Sequence, residues 1–142
     1  MSLFAGQSRV ELRERYRQAW QRWRAGELLQ PLDAQIGAVL AEHPEYQPMV
    51  LSEQRLQEDF PVQSGAANPF LHLGLHLALR EQIATDRPAG IAQIHRRLTA
   101  SLGSAHEAEH RMIDTLAETL WESQRAGRAP DEQAYLGRLL RL

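Results

Sequence analysis

The chain contains no cysteine. That excludes disulfides, thiolate metal sites, iron–sulfur clusters and thiol nucleophiles, and it fits a cytoplasmic protein without requiring one. Lysine is absent too: all 16 basic residues are arginine, which we read as composition rather than function. No apolar run approaches the ~20 residues that a membrane-spanning helix needs. The N-terminal MSLFAGQSRVELRER has no apolar signal-peptide core before its charges begin. A net charge of only −2 gives no general reason to expect nucleic acid or an acidic membrane surface as partner. Strand-like alternation, internal repeats and low-complexity stretches are missing, as are a glycine-rich phosphate loop and a Ser-His-Asp pattern.

What remains is helix. At 142 residues the chain is long enough to bury a real core, and its 43% hydrophobic and 24% charged residues are ordinary for a globular protein. We expect an all-α helical bundle of about five to six helices, a single domain over residues 1–142. The first helix runs from about Arg9 to Ala25. Ser8 with Glu11 opens it as a capping box and Gly26 stops it; Leu12, Tyr16, Ala19, Trp20 and Trp23 form its apolar stripe. The second starts near Pro31, carries Leu32, Ile36, Val39 and Leu40, and ends before Pro44. A short helix is expected over Ser52 to Asp59. The segment FPVQSGAANP reads as a loop.

Asn68 then caps a long helix that is apolar nearly all round from Phe70 to Leu79, as a central helix would be. Gly74, in its interior, costs about 1 kcal/mol against alanine, which suggests a close helix crossing there. Further helices are expected from about Pro88 to Leu102, from Ser104 (a second capping box, with Glu107) to about Ala126, and from Asp131 through Leu140.

The most informative residues are two histidine pairs. His72 and His76 sit in NPFLHLGLHLAL, and His106 and His110 in SAHEAEHRMIDTL. A spacing of four places both side chains of a pair on one helix face, about 5–6 Å apart at Cβ, close enough to share one metal ion. Six histidines placed at random would give roughly 0.2 such pairs, so two are a signal despite the false-positive risk of short motifs. His72 and His76 share a stripe with Leu79 and Ile83. His106, His110 and Glu109 fall on the face of Met112, Ile113, Leu116, Ala117, Leu120 and Trp121, with Asp114 at its edge. Both pairs therefore point inward, where an imidazole needs a partner for each ring nitrogen.

The bland alternative is core histidines bonded to carboxylates or carbonyls. If a metal binds, Glu109, Asp114, Glu118 and Glu81 are the available carboxylates, Glu81 being poorly placed on the face opposite His72. His106-Glu107-Ala108-Glu109-His110 formally matches H-E-x-x-H and its reverse H-x-x-E-H. A zinc peptidase is disfavoured, because Glu107 is accounted for by the capping box and the helix begins at the motif. His43, at a helix C-terminus, reads as a dipole-favoured histidine and an outside candidate ligand. His95, followed by Arg96 and Arg97, reads as a surface residue. The first helix, RVELRERYRQAWQRWR, holds six arginines and two glutamates. Its row Arg9, Arg13 and Arg17 could bind phosphates, but we expect a solvated face with arginine stems covering aromatic residues.

The blocks RAGELLQPLDAQIGAVLAEHPEY, NPFLHLGLHLALREQI, DRPAGI and AHEAEHRMIDTLAETLWESQRAG resemble the domain of unknown function 1841 family, small bacterial proteins of about this length. The resemblance covers roughly Phe4 to Leu142. It implies that both histidine pairs, His72 with His76 and His106 with His110, belong to the family pattern, together with the HPEY block at His43. It brings no established activity.

The expectation is a cytoplasmic helical bundle that binds one or two transition-metal ions, zinc or iron first, through His72, His76, His106 and His110. Nucleic acid and membranes are not expected as partners, and no small-molecule substrate is readable. The alternative is a metal-free module that self-associates through faces carrying Trp20, Trp23 or Trp121, as a homo-oligomer. The secondary-structure part is directly testable. Far-ultraviolet circular dichroism should give at least ~60% helix and no sheet, because every patterned segment has a period of 3.6 and its own cap signals.

Overall fold

The computed structural model describes residues 8–58 and 68–142. Every regular element among the described residues is helical: α1 (Arg9–Arg24), α2 (Pro31–Ala41), a 3-10 turn (Pro44–Tyr46), α3 (Gln47–Leu51), α4 (Glu53–Leu56), α5 (Pro69–Thr85), α6 (Ile91–Leu102), α7 (Ala105–Ala126) and α8 (Glu132–Leu140). The all-α class agrees with the sequence expectation; the expected five to six helices are too few. The excess comes from the stretch after α2, which breaks into pieces. Pro44 and Pro48 each stand in the first turn of a short element. Ser52 is extended, and its hydroxyl accepts the Arg55 N–H at 3.3 Å to start α4. The short helix expected from Ser52 thus ends at Leu56. Its last expected residue, Asp59, and most of the loop expected before Asn68 lie outside the described residues.

Helix ends follow local chemistry. Ser8 and Ser104 accept the N–H groups of Glu11 and Glu107, each at 3.2 Å. Asp131 accepts from Ala134 at 3.0 Å, and the Asn68 side-chain Oδ1 accepts from Phe70 and Leu71, both at 3.1 Å. Gly103 and Gly127 end α6 and α7 at φ +77 and +64, where a side chain would be strained. The start of α6 differs from expectation. Pro88 and Ala89 stay in the preceding turn, because the Asp86 carboxylate takes the N–H groups of Gly90 and Ala92 at 3.1 and 3.0 Å. That capping from six residues upstream has no signature in the local pattern.

The chain forms two compact units, Met1–Leu77 and Ala78–Leu142, with α5 contributing residues to each. The core of the first is Tyr16, Ala19 and Trp20 of α1; Ile36, Val39 and Leu40 of α2; Met49, Val50 and Leu56; and Phe70, Leu73 and Leu77 of α5. Burying each large apolar side chain stabilises by roughly 1.5–3 kcal/mol. Tyr16 and Phe70 stack, ring centroids 6.5 Å apart.

Arg13 corrects the expected solvated arginine row. It is buried, its guanidinium lies 4.2 Å from the Phe70 ring centroid, and its Nη1 donates to the carbonyls of Leu56 and Glu58 at 3.1 and 2.7 Å. Arg17 pairs with Glu14 and Glu53. Of the row, Arg13 serves the inside of this unit, Arg9 is exposed and Arg17 is half-buried. Trp23, expected on the apolar stripe, is exposed, whereas Trp20 is buried and offers no surface for self-association.

The second unit buries Leu79 of α5, Ile91, Ile94 and Leu98 of α6, Ala108, Met112, Ile113 and Leu116 of α7, and Tyr135 and Leu139 of α8. A two-residue link joins α6 to α7 as a helical hairpin. The Tyr135 hydroxyl donates to the Gln82 side chain at 2.7 Å, tying α8 to the end of α5. Trp121, expected on the inward face of α7, is exposed and carries the Arg125 guanidinium 4.5 Å above its ring.

The close helix crossing is at a different glycine from the expected one. A Cβ at Gly74 would meet only the Tyr16 hydroxyl, at 3.6 Å, an ordinary contact. A Cβ at Gly37 of α2 would fall 2.5 Å from the Trp23 ring and 2.9 Å from its Cβ, which cannot swing away. Gly37→Ala should therefore destabilise by roughly 1–3 kcal/mol. Gly74→Ala should be neutral or stabilising by up to about 1 kcal/mol. Urea denaturation of the two variants side by side checks the pair.

Candidate metal centre

The site in the first unit is built where α2 stops. Pro44 cannot continue the helix, so His43 leaves it at φ −129, ψ 70. Its backbone N–H donates to the Leu40 carbonyl at 3.1 Å and its carbonyl accepts the Tyr46 N–H at 3.0 Å. The ring turns back along α2. Its Nδ1 lies 2.7 Å from the Val39 carbonyl oxygen. A carbonyl only accepts, so Nδ1 carries the proton and donates, and in the neutral ring Nε2 keeps its lone pair. The Gln47 side-chain amide caps the next carbonyl, Leu40, at 2.9 Å. A carbonyl of the last turn of α2 therefore orients a histidine.

α5 supplies the other two rings. His72 and His76 bring their Nε2 atoms to 3.0 Å, with ring centroids 4.6 Å apart. His43 meets His76 edge-on at 4.4 Å and His72 at 5.4 Å. The three rings each offer a nitrogen within 4.8 Å of the others. Two nitrogens on one zinc, each 2.0–2.1 Å from it, stand about 3.3 Å apart at the tetrahedral angle. The His72–His76 separation of 3.0 Å is close to that value, and a His43 nitrogen lies within 4.8 Å of both. His43 is 1% exposed and His76 0%, while His72 is half-buried.

Tyr46 completes the surroundings. Its ring lies parallel to His43 and edge-on to His72, both at 5.7 Å. Burial first, and the neighbouring Glu45 carboxylate second, push its phenol up from the ordinary value, so it stays neutral. Two imidazole nitrogens at 3.0 Å can do one of two things. One ring donates a proton to the other, or both lone pairs face a cation. A Tyr-shielded cluster of three imidazoles allows both.

The second unit holds the other histidine pair. On α7, His106 and His110 pack edge-on with ring centroids 4.2 Å apart, and both are half-buried. Glu109 beside them is buried and accepts from the Arg80 guanidinium at 2.9 Å. The other carboxylates singled out by sequence fare less well: Asp114 and Glu118 are exposed, and Glu81 is half-buried. Glu107 is exposed at the helix start, its N–H on Ser104, as a capping residue and not a base facing metal ligands. His95 is half-buried on α6, beside exposed Arg96 and Arg97.

The residue that sequence reasoning undervalued is His43. A dipole-stabilised histidine at a helix end should sit in solvent; this one is among the most buried side chains of the chain. The signal was present. Ile36, Val39, Leu40 and His43 follow the i, i+3, i+4, i+7 rhythm of one buried face, and His43 closes the stripe just before Pro44 stops the helix.

The sequence profile of the domain of unknown function family DUF1841 matches residues 8–141. No curated protein and no solved structure matches the chain.

Burial makes the role of His43 measurable without any ligand. His43→Ala removes a buried ring and leaves the Val39 carbonyl without its ring donor, at a cost of roughly 2–4 kcal/mol. His95→Ala should stay within about 1 kcal/mol. Thermal melts of both variants, with chelator present throughout, give the comparison.

Proposed function

This chain belongs to the domain of unknown function 1841 family, and we propose that it is a metal-binding helical protein with an all-histidine site. In this reading His43, His72 and His76 are the ligands in the first unit, and the α7 pair, His106 and His110, is a separate candidate in the second. The observation that carries the reading is the His43 tautomer. The Val39 carbonyl holds Nδ1–H and leaves Nε2 as a lone-pair donor beside two further imidazoles. Metal-ligating histidines generally donate their other ring N–H to such a partner, which sets orientation and basicity. Further support comes from the repeated i, i+4 spacing of both pairs. Imidazole-rich ligation with no sulfur suits zinc, iron, nickel or copper, and we place zinc and iron first.

The competing reading is a metal-free module that forms a homo-oligomer. It draws on the exposed Leu71, Trp121 and Leu140, but apolar residues scattered singly on a surface are normal and call for no partner. No helix among the described residues is long and apolar enough to cross a membrane.

Elemental analysis of untagged protein decides between the readings. Zinc or iron near one equivalent per chain is expected, and metal-free protein overturns the proposal. His76→Ala should abolish stoichiometric metal. Chelator should lower the melting temperature of the wild type and leave that variant unchanged, since a metal binds only the assembled site. A ligand at a thousand times its Kd stabilises by about 4 kcal/mol. His110→Ala tests whether the α7 pair contributes: metal retained at full occupancy would limit the set to His43, His72 and His76.

A further inference from the structure

We infer that Tyr46 is the cover of the histidine cluster in the first unit: its ring sets how fast an ion enters and leaves, and not how tightly the ion is held. The inference rests on the metal reading above and concerns the regulation of that same site. His43 and His76 are 1% and 0% exposed, whereas His72 and Tyr46 are both half-buried. Of these four side chains, His72 and Tyr46 therefore face solvent. The Tyr46 ring lies against two ligand rings at once, 13° from parallel to His43 and edge-on to His72, with centroids 5.7 Å from each.

The ring can move while its turn stays in place. The Tyr46 N–H donates to the His43 carbonyl at 3.0 Å, and the next side chain, Gln47, holds the Leu40 carbonyl at 2.9 Å. Among the described residues the phenol oxygen makes no hydrogen bond. Swinging the ring aside thus breaks packing alone. Two aromatic contacts oppose that swing, each worth roughly two- to tenfold in the opening equilibrium. Local opening of this kind, not unfolding, is the cheap route to a partly buried site.

Affinity has separate supports. The Val39 carbonyl orients the His43 ring at 2.7 Å, and the α5 backbone spaces His72 from His76. Neither depends on Tyr46. Tyr46 acts through the ligand rings, as a positioning residue. Removing it lowers a barrier that entry and exit share, so both rates rise and their ratio holds.

The test loads the full untagged chain with zinc and mixes it in a stopped-flow with excess pyridylazoresorcinol, a chelator that colours on taking zinc. Tyr46→Ala should release zinc at least about tenfold faster than the wild type, take it up faster by a similar factor, and keep its Kd within about threefold. Tyr46→Phe keeps the ring and should match the wild type. Tyr46→Leu keeps an apolar side chain against the core and replaces the alanine variant if that fails to fold; it too should release faster. A folded variant without the ring that releases zinc at the wild-type rate overturns the inference and leaves the metal reading standing. So does a Kd that rises as steeply as the release rate, or a Tyr46→Phe chain as fast as Tyr46→Ala. A wild-type chain that takes up no zinc overturns both.

Discussion

An imidazole can enter a protein interior only if each ring nitrogen finds a partner there. That constraint organises the first unit of this chain. Three rings lie together, His43 and His76 with almost no exposure, in surroundings that are otherwise an apolar core. The Val39 carbonyl satisfies one nitrogen, and the 3.0 Å approach of His72 to His76 involves two more. Around them the helix end is arranged to make this possible. Pro44 ends α2, His43 folds back on the Val39 carbonyl, Gln47 takes the next, and Tyr46 closes over two of the rings. The termination of one helix and the construction of the site are a single event.

The second unit solves the same problem differently. Its buried charge, Glu109, is matched by Arg80 of α5, and its interior hydroxyls bond to helix carbonyls four residues back, as Thr119 does to Thr115. Its histidines are half-buried. The two i, i+4 pairs have the same spacing but unequal surroundings. Sequence spacing alone treats them as equals; burial separates them.

How much of this was legible in the sequence depends on how local each determinant is. Ser8, Asn68, Ser104 and Asp131 cap helices through bonds two or three residues long, and those ends were read correctly. Asp86 acts across six residues, and the start of α6 was placed too early. Arg13 looked like part of a charged face, yet it stands three residues before Tyr16 and seven before Trp20, on the buried stripe, and its partners are backbone carbonyls more than forty residues away. Backbone carbonyls leave no mark in a sequence, so the compensation for that buried cation was invisible. Gly37 was overlooked and Gly74 overvalued for a related reason. A close approach is a property of the partner helix, here the Trp23 ring on α1. His72 and His76 were read together as a candidate pair, and they meet; His43 was left at the margin because its ring belongs to the site only after the chain turns.

The path of the chain through this site has one more consequence. His43 belongs to the end of α2, whereas His72 and His76 belong to α5, and α3, α4 and the residues between lie along the way. An ion bound to both sides would tie two points about 30 residues apart, in a chain that has no cysteine to do so. Closing a loop of that length removes conformational freedom from the unfolded chain worth about 3–4 kcal/mol on the chain-entropy treatment of disulfides. The cluster is thus placed where a coordinate cross-link would replace the covalent one that this sequence lacks, and its strength would follow metal supply instead of redox poise.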